Sequence, residues 1–352
     1  MSARSRPTLR RLTTRDVEAL AAGATLLGSG GGGAVATGAA LLRTALASRS
    51  VEVRQAAELA PDALVVHVGV VGSPDVVAER LLSGADLARA VEAVASQVGA
   101  SVDALGIIEI GGLNALLPPV AAVELGLPVV DGDLMGRAFP HIRQTTLATA
   151  GMPPTPVALV DPSGSTAVFT TGTAARVESL VAACAGAMGG AATVALHPAS
   201  AATLAELGVP GSLTACIRAG EAYLTAPPGD SARLAAQLGG ILLFEGRVDD
   251  VAPREDGAPG SLTLTHDATA TTVRVDFLTE FLAVTVDAEP VALTPEVVVI
   301  VNTHDFAILN TDQVRLGQSV SVIALPPLHR WPDEARRLVG PAGYGLDLQE
   351  GM

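Results

Sequence analysis

"ALVVHVGVVGSP", residues 63–74, decides the fold. The run is apolar and rich in valine, and it ends in the turn residues Gly72, Ser73 and Pro74. A strand with one wet face would alternate apolar and polar positions, because successive side chains point to opposite faces. A continuous apolar run bounded by turn signals instead predicts a strand buried on both faces, as in a parallel sheet covered by helices.

The flanking segments agree. Downstream, "DLARAVEAVASQVG" (86–99) predicts a helix, and "ALGIIEIGGLNALL" (104–117) a second buried strand with a glycine-rich exit. "PPVAAVELG" (118–126) predicts a helix and "LPVVDGD" (127–133) a third strand. Upstream, "TTRDVEALAAGATLLG" (13–28) reads as a capped helix that runs into "GSGGGG" (28–33), and "AVATGAALLRTALAS" (34–48) as another helix. Strand and helix alternate, so the first half is predicted to be an α/β domain with a largely parallel sheet. The middle changes character with the hairpin pattern "PVALVDPSGSTAVFTTG" (156–172), and beyond about residue 240 short alternating runs dominate. The expected organisation is an N-terminal α/β domain over residues 1–165. A mostly β, α+β domain over residues 166–352 follows, ending in a small barrel or sandwich.

Composition bounds the function. Of the 352 residues 49% are hydrophobic but only 3% aromatic, so the core must be built from valine, leucine, alanine and isoleucine. No apolar run approaches the roughly 18 residues of a membrane span, and no apolar segment follows the basic N-terminus as in a signal peptide. A net charge of −14 argues against a nucleic-acid partner. The chain has no lysine, which removes Schiff-base chemistry and the phosphate-loop lysine. Its two cysteines lack metal-type spacing, and a reduced, cytoplasmic setting is expected.

Ligands in such sheets sit beyond the carboxyl ends of the strands. There the sequence places "VGSP" (71–74), "EIGGLN" (109–114) and "DGDLMGRAFPH" (131–141). Asp131 and Asp133 lie on one face of an extended segment, where two carboxylates can share a proton, hold a divalent cation or activate water. The structural alternative is that one caps a helix and the other pairs with Arg137. Glu109 interrupts an apolar run and is a candidate acid, because an ionised glutamate there is costly unless paired. Asn114 is a candidate substrate ligand or a helix cap. Gly30, Gly31, Gly32 and Gly33 would let a ligand approach backbone N–H groups, or would simply end a helix. His67 and His141 are candidate metal ligands with the two aspartates; a lone buried histidine is more often a core residue. Glu280 breaks a β run and is a candidate for an inter-domain cleft. Cys184 reads as helix packing.

Together, "LLGSGGGG", "VGSPDVVAERL", "IEIGGLNAL", "LPVVDGDLMGRAFP", "FEGRVDDV" and "VGPAGYGLDL" resemble the S-methyl thiohydantoin desulfurase family, in order from residue 12 to 347. The resemblance implies an α/β domain followed by a largely β domain. It also implies hydrolytic removal of a methylthio group from a small cyclic thiohydantoin. The motif positions carried over are Gly30 to Gly33, Glu109, Asn114, Asp131, Asp133 and Arg137. Departures at 71–74, at Thr279–Glu280 and at 341–344, around Ala342, mark a divergent member. The expected activity is a hydrolase using Asp131, Asp133 and Glu109, with Gly30 to Gly33, Asn114, Arg137 and Glu280 on the substrate. A divalent metal on Asp131, Asp133, His67 and His141 is one option, and a homo-oligomer is expected. The competing expectation is a non-catalytic subunit or ligand-binding partner of a hydantoinase-type enzyme.

Overall fold

The computed structural model describes residues 9–348, apart from 81, 228, 256, 267, 268 and 270. After β1 (Arg11–Leu12), the Thr13 N–H and hydroxyl both donate to Asp16 Oδ2 at 2.8 Å and cap the 3-10 turn Thr14–Asp16, which runs into α1 (Val17–Leu27). There follow α2 (Val35–Ala45), β2 (Val51–Arg54), β3 (Leu64–Gly72), α3 (Pro74–Glu79), α4 (Gly84–Val98), β4 (Ala104–Ile107), α5 (Leu117–Leu125) and β5 (Val129–Asp133). Strands β2, β5, β4 and β3 are parallel neighbours in that order, with β1 antiparallel on the outer edge of β2. Helix α4 buries Leu87, Ala90, Val91 and Val94 at helical spacing and stops at Gly99, whose φ of 73° fits the left-handed cap.

The strand expected to run through Glu109 ends at Ile107, which leaves Glu109 in the bend beyond it. Past the short α6 (Thr146–Thr149), β6 (Val157–Val160) and β7 (Thr166–Phe169) form the hairpin; residue 165 lies between them. Helix α7 (Ala174–Ala187) leads to β8 (Ala191–Ser200), which inserts antiparallel between β3 and β6. Helix α8 (Ala201–Leu207) and β9 (Val209–Pro210), paired to β5, complete a nine-stranded sheet.

Helix α9 (Ser212–Leu224) packs on α1 at backbone contact: a Cβ on Gly220 would lie 1.7 Å from the Ala19 carbonyl oxygen, and one on Gly23 1.8 Å from that of Cys216. Helix α10 (Ser231–Gln237) leads into the second sheet. Its strands are β10 (Ile241–Ala252), β11 (Gly260–Thr265), β12 (Thr272–Phe277), β13 (Phe281–Val286), β14 (Glu289–Leu293), β15 (Val297–Asn302), β16 (Ile308–Leu309) and β17 (Ser319–Leu325). They pair antiparallel in the order β14-β13-β12-β11-β10-β17-β15-β16. One apolar core draws on all eight, so the sheet rolls around it.

The domains share apolar surface. In β15, Val298 and Ile300 enter the C-terminal core, while Val297, Val299 and Val301 join the core of the N-terminal domain. The chain then returns: Trp331 and, in α11 (Asp333–Val339), Ala335 and Val339 pack with Phe139, Ile142 and Val181. The architecture is an α/β domain whose central strands β2, β5, β4 and β3 run parallel within the sheet, followed by a mostly β domain.

Candidate active site

A cleft of about 250 Å³ opens where the carboxyl ends of β3 and β4 face the second sheet. Its walls are Val70, Val71 and Gly72 from β3, Ile108 and Glu109 beyond β4, and Met135, Phe139 and His141 beyond β5. Gly32 and Gly33 close one side, and Thr279 and Glu280 of the β12–β13 turn close the other. A larger hollow of about 450 Å³ adjoins it and shares Gly32, Gly33, Pro74 and Thr279.

The glycine turn is shaped by contact on both sides. A Cβ on Gly32, at φ +87°, would lie 2.5 Å from the Cα of Gly112, and one on Gly31 would lie 2.6 Å from Glu280 Oε1. The Leu113 N–H donates to the Gly32 carbonyl at 2.6 Å, while no acceptor among the described residues takes the N–H of Gly32 or Gly33. The helix-cap reading is also met, since the Gly28 N–H donates to Ala24 O at 2.9 Å.

Glu109 is held by Asn114. Asn114 Nδ2 donates to Glu109 Oε1 at 2.8 Å and to the Val70 carbonyl at 3.2 Å, and its Oδ1 accepts the Val70 N–H at 2.8 Å. Asn114 is thereby committed to β3 and to the glutamate. The Phe139 N–H donates to Glu109 Oε2 at 3.2 Å. Burial pushes the Glu109 carboxyl up to about 8, the Asn114 hydrogen bond opposes this, and the charge of Glu280 adds to it. Glu280 is buried and accepts the Thr279 hydroxyl at 2.6 Å. Burial raises its pKa as well, while the Thr279 hydroxyl and the charges of Arg137 and His141 pull it down.

Arg137 does not ion-pair with an aspartate. Its buried guanidinium donates to the carbonyls of Phe281 at 3.1 Å and Glu296 at 2.6 Å, its Nε donates to Ala138 O, and it lies 5.1 Å from the centre of the Phe139 ring. It stands behind the cleft rather than lining it, as a fixed positive charge felt by Glu280 and Glu109.

The two aspartates share one face of β5, but that face meets α9 and not the cleft. Asp131 accepts the Gln55 amide at 2.8 Å, the Thr214 N–H at 2.9 Å and the Thr214 hydroxyl. Asp133 Oδ2 accepts the N–H groups of Ile110, Met135 and Gly136 at 2.8–3.0 Å, tying the β4 and β5 exits together. Burial pushes Asp133 up to about 6 against the pull of the Gly136 N–H.

The histidines are also separated. His67 borders a different hollow, of about 80 Å³, with Asp131 and Asp133. Burial pushes it down to about 4, so it is neutral near pH 7, and its Nδ1 donates to the His197 carbonyl at 2.9 Å. His197, pushed down to about 3 by burial, contacts the Thr145 hydroxyl through Nε2 at 3.0 Å. His141 belongs to the main cleft and contacts Glu178 of α7 at 2.8 Å. The expected metal ligands Asp131, Asp133, His67 and His141 are therefore split between two hollows. Among the described residues no group of three or more His, Cys, Asp and Glu side chains is placed to hold a metal ion. Both cysteines are free. Among the described residues no helix is long and apolar enough to cross a membrane.

The structure thus brings Glu109, Asn114, Gly32, Gly33, Glu280 and His141 together, places Arg137 behind them, and turns Asp131, Asp133 and His67 away. The sequence reading missed Glu178. Its one signal is that it is the sole carboxylate in "AARVESLVAACAGA" (174–187).

A protein from Chromobacterium violaceum, solved by X-ray crystallography in a structural genomics programme, has a similar fold. It is 25% identical, with a TM-score of 0.76 over 90% of this chain and 92% of that one. The search of curated proteins returns no match. Residues 15–171 match the model of the S-Me-THD-like N-terminal domain, and residues 172–350 that of the S-Me-THD-like C-terminal domain. With nearly its whole length matched in order, and with the α/β and β domains in place, the chain belongs to the S-methylthiohydantoin desulfurase-like family.

Proposed function

We propose that the cleft hydrolyses the carbon–sulfur bond of a small S-methylated cyclic thiohydantoin, releasing methanethiol and leaving the hydantoin carbonyl. The observation that carries this is the pairing of two buried acids, Glu109 and Glu280, at one cleft. Like charges in such a place do not both ionise easily, so the pair tends to hold one proton. Burial raises both carboxyls, and we assign the shared proton to Glu109 because the Thr279 hydroxyl and the charge of Arg137 favour the ionised form of Glu280.

That asymmetry supplies an acid and a base. Glu280 removes a proton from water as the oxygen bonds to the methylthio-bearing ring carbon. The electron pair of the C=N bond moves to nitrogen, which takes the proton of Glu109. The unpartnered N–H groups of Gly32 and Gly33 receive a ring carbonyl. The larger adjoining hollow takes the ring substituent.

A second reading, a binding partner for a hydantoinase-type enzyme, draws on the commitment of Asp131 and Asp133 to the fold instead of the cleft. The two readings separate on methanethiol release from S-methyl thiohydantoin, followed with a thiol reagent. Catalysis predicts turnover by the wild type and a loss of about 10²–10³-fold in kcat for Glu109→Gln, with unchanged circular dichroism. Binding without thiol release by the wild type would leave only the partner reading.

A further inference from the structure

We propose that His141, oriented by Glu178, is the proton donor to the departing sulfur; this rests on the hydrolytic reading above. His141 lines the cleft, and its Nδ1 lies 2.8 Å from Glu178 Oε1. The same oxygen receives Arg143 Nη1 at 2.8 Å, so Glu178 is held from two sides. A carboxylate on Nδ1 fixes the tautomer and aims the other nitrogen. Nε2 of His141 has no partner among the described residues, and the ring is close enough to Glu280 for the two charges to interact. The backbone is fixed too: the His141 N–H donates to Gln144 Oε1 at 3.2 Å, and Gln144 Nε2 donates to Tyr344 Oη and Leu338 O at 2.8 Å.

A purely structural pair explains less. Glu178 and His141 are both partly exposed, and such ion pairs add little to stability. The chemistry, in contrast, needs a third proton. Once water has added, the ring carbon carries a hydroxyl and the methylthio group. The C–S bond breaks, its electron pair leaves with sulfur, and sulfur takes a proton from the His141 imidazolium. The hydroxyl proton returns to Glu109 as the carbonyl forms. Glu280 gives its proton to solvent and His141 regains one, so a turnover consumes one water and releases one methanethiol.

His141 is then a catalytic residue and Glu178 a positioning residue. The groups facing the ring are Glu178, Arg143 and Glu280. The test is kcat and KM across pH for the wild type, Glu109→Gln, His141→Gln and Glu178→Gln, with methylthio and arylthio thiohydantoins. His141→Gln is expected to lose about 100-fold in kcat on the methylthio substrate and to recover most of it on the arylthio one, whose thiolate leaves unprotonated. Glu178→Gln should lose about 10-fold on the methylthio substrate and recover most of it on the arylthio one, since a ring no longer held at Nδ1 presents its proton poorly to sulfur. Glu178 is partly exposed, and it carries the test alone if His141→Gln does not fold. Wild-type kcat and leaving-group dependence in Glu178→Gln and in a folded His141→Gln, beside an inactive Glu109→Gln, overturn this inference and leave the hydrolytic reading standing. No turnover by the wild type overturns both.

Discussion

A histidine sealed from water resists protonation, and His67 and His197 are two such residues touching each other. Their ordinary value is 6.5, and burial takes them to about 4 and about 3. The unfolded chain therefore binds protons that the folded one refuses. Their contribution to stability is complete above pH 6.5 and is lost as pH falls towards 4, at about 1.4 kcal/mol per pH unit for each histidine. His67→Gln should remove one share of that slope, which urea melts at stepped pH will report; an unchanged slope would show that His67 charges freely. Glu109 and Glu280 stand out in the sequence because an acid inside an apolar run is visible in one dimension. For Asp131 and Asp133, periodicity shows which face of a strand they share but not that α9 covers that face. The His141–Glu178 contact joins residues 37 apart, beyond any local spacing rule.

Among the elements, the contact of α1 with α9 has the least room. Alanine is better than glycine in a helix by about 1 kcal/mol, so Gly220→Ala would ordinarily stabilise. Here the new methyl group would meet the Ala19 carbonyl oxygen at 1.7 Å, and overpacking against backbone costs about 1–3 kcal/mol. We expect a net loss of about 1 kcal/mol in a thermal melt, with reduced activity, because the glycine turn of the cleft hangs from the end of α1. A raised melting temperature would contradict the close approach. The parallel strands were legible because burial on both faces leaves an unbroken apolar run. The antiparallel insertion of β8 between β3 and β6 was not, since pairing partners far apart in sequence leave no periodic trace.

Across the whole molecule, the cleft exists because the two domains dock through apolar side chains. Ile323 of β17 belongs to the N-terminal core, while its neighbours Val322 and Ala324 face the C-terminal one. Ile323→Ala is expected to cost about 3 kcal/mol and to weaken turnover by letting Glu280 shift from Glu109. A calorimetric melt read beside the thiol assay checks both effects, and full activity with the stability loss would uncouple docking from the cleft. Docking itself was unreadable in the sequence: "EVVVIVNT" (296–303) announces a strand buried on both sides without naming what covers each side. Arg137 shows what this docking asks of the chain during its synthesis. Its acceptors at Phe281 and Glu296 lie 144 and 159 residues downstream. While the nascent N-terminal half waits at the ribosome, that guanidinium must stay hydrated, so the region around it stays open until the second half emerges. Either half alone leaves the cation, or its carbonyl acceptors, to be satisfied by water, so each half completes the hydrogen bonding of the other.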